Sequence, residues 1–280
     1  MAGASMNDIK ARIKSVNSTM QITKAMELVA ISKLRRAKER AEATRPYSVA
    51  LENGIRTIAT KDGLNAAGWV SDPTAPTLYI VIAGDRGLAG GYNMNVFRKM
   101  QADIKGEAIF LPIGKKANDF IKHRSQKTLS ADFISSADMG VGRCLQLSDI
   151  VCKSFKRGEI SSVKVVYTKF VSMISQIPVI DDVLPLSCTE KTPEDLTEPL
   201  FDGDIAETLD MIIPQYLGGR IYSAICQAIA SEHGARRMAM NAANKNATEM
   251  IDSLMLGYNR ARQAVITQEI TEIVSGAEAL

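Results

Sequence analysis

The C-terminal part of the chain predicts one very long helix. Residues 215–280 contain no proline. Apolar and small residues recur there at the three- and four-residue spacing of a coiled-coil seam, at Ile251, Leu254, Tyr258, Ala261 and Val265. A helix of this length extends about 90–100 Å at about 1.5 Å per residue, which is more than one compact core can cover. We therefore expect a partner helix along part of it and other proteins around the rest.

The N-terminal segment predicts that partner helix. Its seam positions alternate by four and three over more than four heptads, at Ile9, Ile13, Val16, Met20, Thr23, Glu27, Ala30, Leu34, Ala37 and Ala41. Two of them, Thr23 and Glu27, are polar, and a polar seam residue more often sets the register of a coiled coil than performs chemistry. Two long terminal helices can pair antiparallel only if the middle of the chain folds as a compact insert.

The middle of the chain predicts that insert as an α/β domain. Short apolar runs at 78–82, 108–113, 163–167 and 177–186 read as strands, and they alternate with helical segments at 115–124 and 144–157. The predicted fold class is an antiparallel coiled coil of the N- and C-terminal helices with an inserted doubly wound, Rossmann-like α/β domain. The predicted segments are a helix over 1–60, a linker over 61–76, the α/β domain over 77–195, an acidic connector over 196–208 and a helix over 209–280.

Charge is distributed unevenly along a chain whose net charge is only +3. Residues 1–60 carry 11 Lys and Arg against 5 Asp and Glu, whereas residues 181–210 carry 10 acidic residues and one lysine. Such segregation suits binding surfaces of opposite sign more than it suits general nucleic-acid binding. No apolar run has transmembrane length, and the N-terminus lacks a signal-peptide pattern.

No residue pattern predicts a catalytic, metal or cofactor site. The four cysteines, Cys144, Cys152, Cys188 and Cys226, lack metal-ligand spacing and are expected to be reduced thiols. His123 and His233 have no partner at a recognisable spacing. The glycine-rich turn at 84–91 lies where a Rossmann domain binds pyrophosphate, but its spacing departs from GxGxxG, and Asp85 would repel a phosphate. A structural turn is therefore favoured over nucleotide binding.

A basic cluster lies on the predicted N-terminal helix, at Lys33, Arg35, Arg36, Lys38 and Arg40. It is compatible with a solvated helix face, with a contact to an acidic protein surface or with a nucleic-acid contact. The absence of interleaved aromatic residues weakens the last alternative.

Several stretches closely resemble the gamma subunit of rotary F-type ATP synthases. They are IKARIKSV at 9–16, QITKAME at 21–27, RPY at 45–47, DRGLAGG at 85–91 and YNRARQAVITQEITEIVSGA at 258–277. The resemblance implies a central rotor shaft without a catalytic site or cofactor of its own. It also implies the partners: three alpha and three beta subunits around the coiled coil, and the epsilon subunit and the c-ring at the α/β domain. Ion-driven c-ring rotation would then be coupled to ATP synthesis or hydrolysis.

The same resemblance assigns contact residues. Beta-subunit contacts are expected at Met26, Arg260, Arg262, Gln263, Thr267 and Glu269, with Met26 also packing near Gln263, Thr267 and Glu269 of the other helix. The basic cluster would face acidic parts of the ring of alpha and beta subunits. The contacts with the c-ring would be Phe201, Asp202 and Asp204. The paired-cysteine insert of the chloroplast type is missing, so thiol control is not expected.

The resemblance also implies a location and leaves two other classes to exclude. The expected place is peripheral, on the cytoplasmic face of the bacterial plasma membrane or else on the matrix face of the mitochondrial inner membrane, touching the membrane only through the c-ring.

The alternatives are a nucleotide-binding α/β enzyme with helical arms and a nucleic-acid-binding coiled-coil protein. ATP binding by the isolated chain would favour the first, and steeply salt-dependent DNA or RNA binding would favour the second.

Overall fold

The computed structural model describes residues 6–59, 61–130, 135–186 and 204–278, and only the backbone of Arg56, Thr57, Lys61 and Glu278. The elements in chain order are α1 (Met6–Ile58), α2 (Lys61–Ala66), β1 (Thr77–Ile82), α3 (Tyr92–Asp103), β2 (Ala108–Ile113), α4 (Lys115–Lys122), a 3₁₀ turn (Ser136–Asp138), α5 (Val141–Lys156), β3 (Ser162–Phe170), β4 (Gln176–Leu184) and α6 (Ile205–Glu278). The predicted combination of long terminal helices and an α/β insert is confirmed.

The chain divides into two compact units, and both terminal helices run through both of them. The helical unit comprises Met1–Ala30 and Arg236–Leu280, and the α/β unit comprises Ile31–Ala235. Within each unit α1 and α6 run antiparallel. In the helical unit Thr23 contacts Asn244 and Met20 contacts Thr248, so positions rise along one helix as they fall along the other.

The α/β unit is built on a four-stranded sheet of order β2-β1-β3-β4. β1 pairs in parallel with β2 and with β3, as the doubly wound prediction requires. β4 pairs antiparallel with β3, which the sequence did not predict. The physical reason is the short connection between Phe170 and Gln176, which allows a hairpin but is too short for a parallel crossover.

β1 is buried on both faces and separates two apolar cores. Leu78, Ile80 and Ile82 point into one core, which α5 and α6 cover, whereas Tyr79 and Val81 point into the other core, which α3 and α4 cover. A strand that is apolar at every position is therefore explained by helices on both sides. This sheet fixes the position of the turn at 84–91, which leaves the carboxyl end of β1.

The last helix begins at Ile205, upstream of Pro214, which lies inside it. The helix therefore does not begin at the proline, and it starts four residues before the segment 209–280 that the sequence analysis gave for it. Leu209 and Ile213, in the turns before the proline, are fully buried in the α/β core. A proline in a helix interior removes a backbone hydrogen bond and costs about 3 kcal/mol. The burial of these two apolar side chains offsets that cost.

Candidate functional site

The helix pair of the helical unit contains the first functional feature, a polar layer inside an otherwise apolar seam. Thr23 Oγ1 donates to Asn244 Oδ1 at 2.5 Å, and Asn244 Nδ2 donates to Glu27 Oε2 at 3.0 Å. Lys24 Nζ lies 3.0 Å from the same Glu27 oxygen, and the Glu27 side chain is 9% exposed. Each polar seam residue of α1 therefore has a partner, as a register-setting layer requires. Sequence reasoning missed Asn244, although it is a polar residue at a helical seam position.

All the predicted seam positions of α1 are buried or half-buried. On α6 the seam is half-buried at Ile251, Leu254, Tyr258 and Ala261, but Val265 is 42% exposed. The prediction that Val265 belongs to the seam is therefore wrong. The described part of α1 offers no partner this far along α6.

The described C-terminal turns of α6 are exposed to solvent on all sides. Every described side chain from Arg262 to Ala277 is exposed. Several of them are large and apolar: Val265, Ile266, Ile270, Ile273 and Val274. Exposure of a continuous apolar stripe to water is unfavourable, so such a stripe on a helix marks a surface that another chain covers.

The residues expected to contact a beta subunit lie at two separate heights of the helical unit. Met26 is half-buried in α1, whereas the residues on α6 are exposed: Arg260, Arg262, Gln263, Thr267 and Glu269. The expectation that Met26 packs near Gln263, Thr267 and Glu269 is wrong. Its neighbour Glu27 pairs with Asn244, and Gln263 lies 19 residues further along α6, about 28 Å away at about 1.5 Å per residue.

The cations of the basic cluster lie on two faces of α1. Arg35 Nε lies 3.1 Å from Glu39 Oε1, and Lys38 Nζ lies 3.5 Å from Glu42 Oε1. These exposed pairs one helical turn apart contribute little to stability, but they neutralise two of the five cations locally. Lys33, Arg36 and Arg40 lie on a different face of the helix, beside α6.

Of the residues expected to contact a c-ring, only Asp204 can be placed. Phe201 and Asp202 lie outside the described residues. Asp204 is exposed, and its Oδ1 accepts a hydrogen bond from the backbone N–H of Ala206 at 2.9 Å. Its carbonyl oxygen accepts from the Thr208 N–H. Asp204 therefore caps the N-terminus of α6, a role that the sequence analysis did not assign to it.

The turn after β1 is held in place by the carboxylate of Asp85 and is not arranged to bind a phosphate. The Asp85 oxygens accept hydrogen bonds from the backbone N–H groups of Lys115, Ser136 and Ala137 and from the hydroxyls of Ser135 and Ser136, at 2.9–3.3 Å. Burial of Asp85 opposes its ionisation, but these hydrogen bonds outweigh burial and lower its pKa. The N-terminus of α4, where a phosphate could bind, is thus already occupied by a side-chain anion.

α6 occupies the crevice in which a doubly wound domain usually binds its ligand. That crevice lies at the carboxyl ends of the strands, between β1 and β3, where the strand order reverses. Ser231 Oγ donates to the carbonyl of Thr168 at the end of β3, and Tyr92 Oη donates to the carbonyl of Ala228. The Glu232 carboxyl group lies against Gly84, so close that a Cβ there would come within 2.8 Å of it. The structure therefore favours the structural-turn interpretation.

Burial keeps the described cysteines unreactive. Cys144, Cys152 and Cys226 are free and buried, and burial raises the pKa of Cys144 and of Cys152 to about 12. Cys188 lies outside the described residues. Among the described residues, no group of three His, Cys, Asp or Glu side chains could hold a metal ion.

Membrane crossing is a separate question. Among the described residues, no helix is long and apolar enough to span a bilayer.

Comparisons with known proteins agree over nearly the whole chain. The ATP synthase family model matches residues 5–280. The ATP synthase gamma chain of Ruminococcus albus is 44% identical over 280 residues, covering 98% of each chain, and the sodium-ion-specific gamma chain of Acetobacterium woodii is 43% identical over 298 residues, again covering 98% of each.

Solved structures show the same fold at lower identity. A chain in the mitochondrial ATP synthase OSCP/F1/c-ring structure of Euglena gracilis superimposes with a TM-score of 0.72 at 19% identity, covering 98% of this chain and 94% of that one. A chain in the central stalk and c-ring structure of Tetrahymena thermophila gives a TM-score of 0.59 at 20% identity, covering 79% and 99%.

Proposed function

Because this chain belongs to the ATP synthase family, with gamma chains as its relatives, we propose that it is the central rotor shaft of an F-type ATP synthase. In this role it couples c-ring rotation to ATP synthesis or hydrolysis at catalytic sites on other subunits. It has no catalytic site of its own. The absence of a free nucleotide crevice around the turn at 84–91 supports a mechanical role for the α/β unit.

The observation that carries the proposal is the bare end of α6. Its apolar side chains beyond Ala261 are exposed, although a helix of this composition requires covering. Residues 264–280 also carry three acids and no bases, which is unfavourable at a free helix C-terminus. A ring of surrounding subunits would cover the apolar side chains. We therefore place this end inside a ring of three alpha and three beta subunits.

The shaft acts by differential contact. A ligand or partner shifts a conformational equilibrium only if it binds one state better than another. α6 presents an uneven surface around its axis, since Ile266, Ile270 and Ile273 recur at helical spacing and form an exposed apolar stripe along one face. Rotation therefore gives each beta subunit a different contact in turn and biases its nucleotide-binding state.

The remaining contacts are those that the resemblance to gamma subunits implies. We propose that Met26, Arg260, Arg262, Gln263, Thr267 and Glu269 contact beta subunits, and that the basic cluster faces acidic parts of the ring. Phe201, Asp202 and Asp204 contact the c-ring, and the epsilon subunit binds the α/β unit. The chain is then peripheral, on the cytoplasmic face of a bacterial plasma membrane, and touches the membrane only through the c-ring.

Reconstitution tests the proposal directly. Mixed with alpha and beta subunits, the full chain is expected to enter a complex containing three of each and to change its rate of ATP hydrolysis. Mass photometry of the purified complex and a coupled ATPase assay measure the two results. Failure of the chain to co-purify, or ATP hydrolysis by the chain alone, would overturn the proposal.

A charge variant tests where the ring binds. Arg260→Gln with Arg262→Gln is expected to weaken assembly about tenfold at low salt and less at high salt, because exposed charges are screened. Lys245→Gln is the matched control, since Lys245 is an exposed cation on the same helix within its paired stretch. Equal effects of the two variants would contradict the assignment of Arg260 and Arg262.

A further inference from the structure

A small cationic pocket lies between α1 and α6 in the α/β unit. Its volume is about 160 Å³. One wall is α1, which contributes Ala37 and three cations, Lys33, Arg36 and Arg40, spaced by three and four residues. The other wall is α6, which contributes Cys226, Ile229 and His233. The pocket therefore has an apolar floor and a rim of positive charge.

The charges at the rim are not balanced from within the pocket. Among the described residues that line it, none is a carboxylate. The acidic residues nearest in sequence, Glu39 and Glu42, pair with Arg35 and Lys38 instead. Like charges three and four residues apart on one helix repel each other by about 0.2–0.5 kcal/mol per pair, so an anion between Lys33, Arg36 and Arg40 stabilises this part of α1.

The size and shape of the pocket restrict the anion. Pockets for drug-sized ligands start at about 300 Å³, so a cavity of about 160 Å³ is too small for a nucleoside but large enough for a compact ion. Arginine presents a planar fork of N–H donors that matches the oxygens of phosphate. Two arginines and a lysine together favour a multiply charged tetrahedral oxyanion over a single carboxylate.

We propose that this pocket binds a phosphate-type oxyanion, which bridges α1 and α6 through Lys33, Arg36 and Arg40. The bound ion relieves the repulsion within the row and ties the two helices together at this height. Its source is free phosphate or the terminal phosphates of a larger molecule, whose remainder would stay in solvent. The inference does not depend on the proposed rotor function, because it rests on the pocket of the chain itself. Within the basic cluster it leaves the proposed contact with the ring to Arg35 and Lys38, which lie on the other face of α1.

Binding is measured on the full chain by ³¹P NMR titration with inorganic phosphate, with sodium chloride added to keep the ionic strength constant. The test variant combines Lys33→Gln, Arg36→Gln and Arg40→Gln. The matched control combines Arg35→Gln and Lys38→Gln, which removes cations of the same helix segment that pair with glutamates. Emission from Trp69, the single tryptophan of the chain and a buried residue, verifies that each variant folds.

We expect saturable binding at millimolar phosphate, weakened about tenfold or more in the test variant and less than about twofold in the control. Pyrophosphate and ATP distinguish the sources: ATP is expected to bind no more tightly than pyrophosphate, because the nucleoside lies outside the pocket. If the triple variant does not fold, Arg36→Gln alone gives the same comparison.

Three results would overturn the proposal. They are the absence of saturation, equal loss of binding in the test and control variants, and binding of ATP about tenfold tighter than that of pyrophosphate. The last would indicate a nucleotide site elsewhere. Failure of the chain to assemble with alpha and beta subunits would leave this measurement unaffected, so the two proposals fail separately.

Discussion

The helical unit and the α/β unit obtain a unique structure in different ways. In the α/β unit a sheet buries apolar side chains on both faces, so its large core alone specifies the packing. In the helical unit a single seam joins two helices, and most of its residues are only half-buried. There the polar layer of Thr23, Glu27 and Asn244 supplies what packing does not. The difference teaches that the pairing register of two helices requires specific polar contacts where few apolar side chains are buried between them.

The largest expected effect is at Gly114, in the α/β unit. Its φ is +95°, and a Cβ there would lie 2.0 Å from the carbonyl oxygen of Ala83. Gly114→Ala is therefore expected to destabilise the unit by about 3–5 kcal/mol. Urea unfolding followed by Trp69 emission measures this loss. Gly106→Ala is the control, since a Cβ there meets nothing within 4 Å. Similar stability of the two variants would show that the packing at this turn is loose.

A smaller effect is expected at Asp85, which joins the turn after β1 to the N-terminus of α4 and to the 3₁₀ turn. Asp85→Asn is expected to cost about 1.5–3 kcal/mol at neutral pH, because an amide cannot accept all the hydrogen bonds of the carboxylate. The pKa of Asp85 is lowered in the folded chain, so its contribution is present above about pH 4 and is lost as the pH falls.

The stability difference between wild type and Asp85→Asn should therefore narrow at acidic pH. Unfolding curves at pH 7 and at pH 3.5 measure it, with the exposed Asp138→Asn as the control. A difference that stays constant between the two pH values would contradict the assigned role of the carboxylate.

Within the helical unit, Asn244→Ala is expected to cost about 1–2 kcal/mol, because it removes the partner that the Glu27 carboxylate and the Thr23 hydroxyl have on the other helix and leaves them only their contacts within α1. Hydrogen exchange of peptides from residues 20–30 and 240–250 measures the loss locally. Asn246→Ala is the control, since Asn246 is exposed on the same helix.

The combined variant Thr23→Val, Glu27→Leu and Asn244→Leu sharpens the comparison further. It is expected to recover stability but to lose a unique register, because an apolar seam permits sliding. Disulfide cross-linking between cysteines introduced at paired and at slipped positions measures the register. Cross-links at the paired positions alone would show that apolar packing is sufficient there.

The smallest effect is expected from thiol reagents. In a Cys188→Ser background, the three remaining thiols are buried in the folded chain, and burial raises the pKa of Cys144 and Cys152 to about 12. A disulfide reagent at pH 8 is therefore expected to find no fast-reacting thiol until the chain unfolds. Rapid reaction of one thiol in the native chain would show that the core opens there.

Much of the fold follows from local patterns. The seam of α1 predicts its buried face, and the apolar runs predict the positions of all the described strands, since both depend on the periodicity of neighbouring residues. The wrong predictions concern longer-range relations. Val265 lies beyond the described partner helix, and Met26 lies far from Gln263, because the pairing register of two helices cannot be read from either helix alone.

The candidate site shows the same division. The sequence alone determined that the chain has two long pairing helices, an α/β insert, a turn unsuited to phosphate and a basic cluster, because these are properties of residue type and spacing. Only the tertiary structure decided that Asn244 completes the polar layer and that α6 fills the ligand crevice. It also decided that three of the five cations converge on one pocket. Such relations depend on which distant segments meet, and only packing of the whole chain determines that.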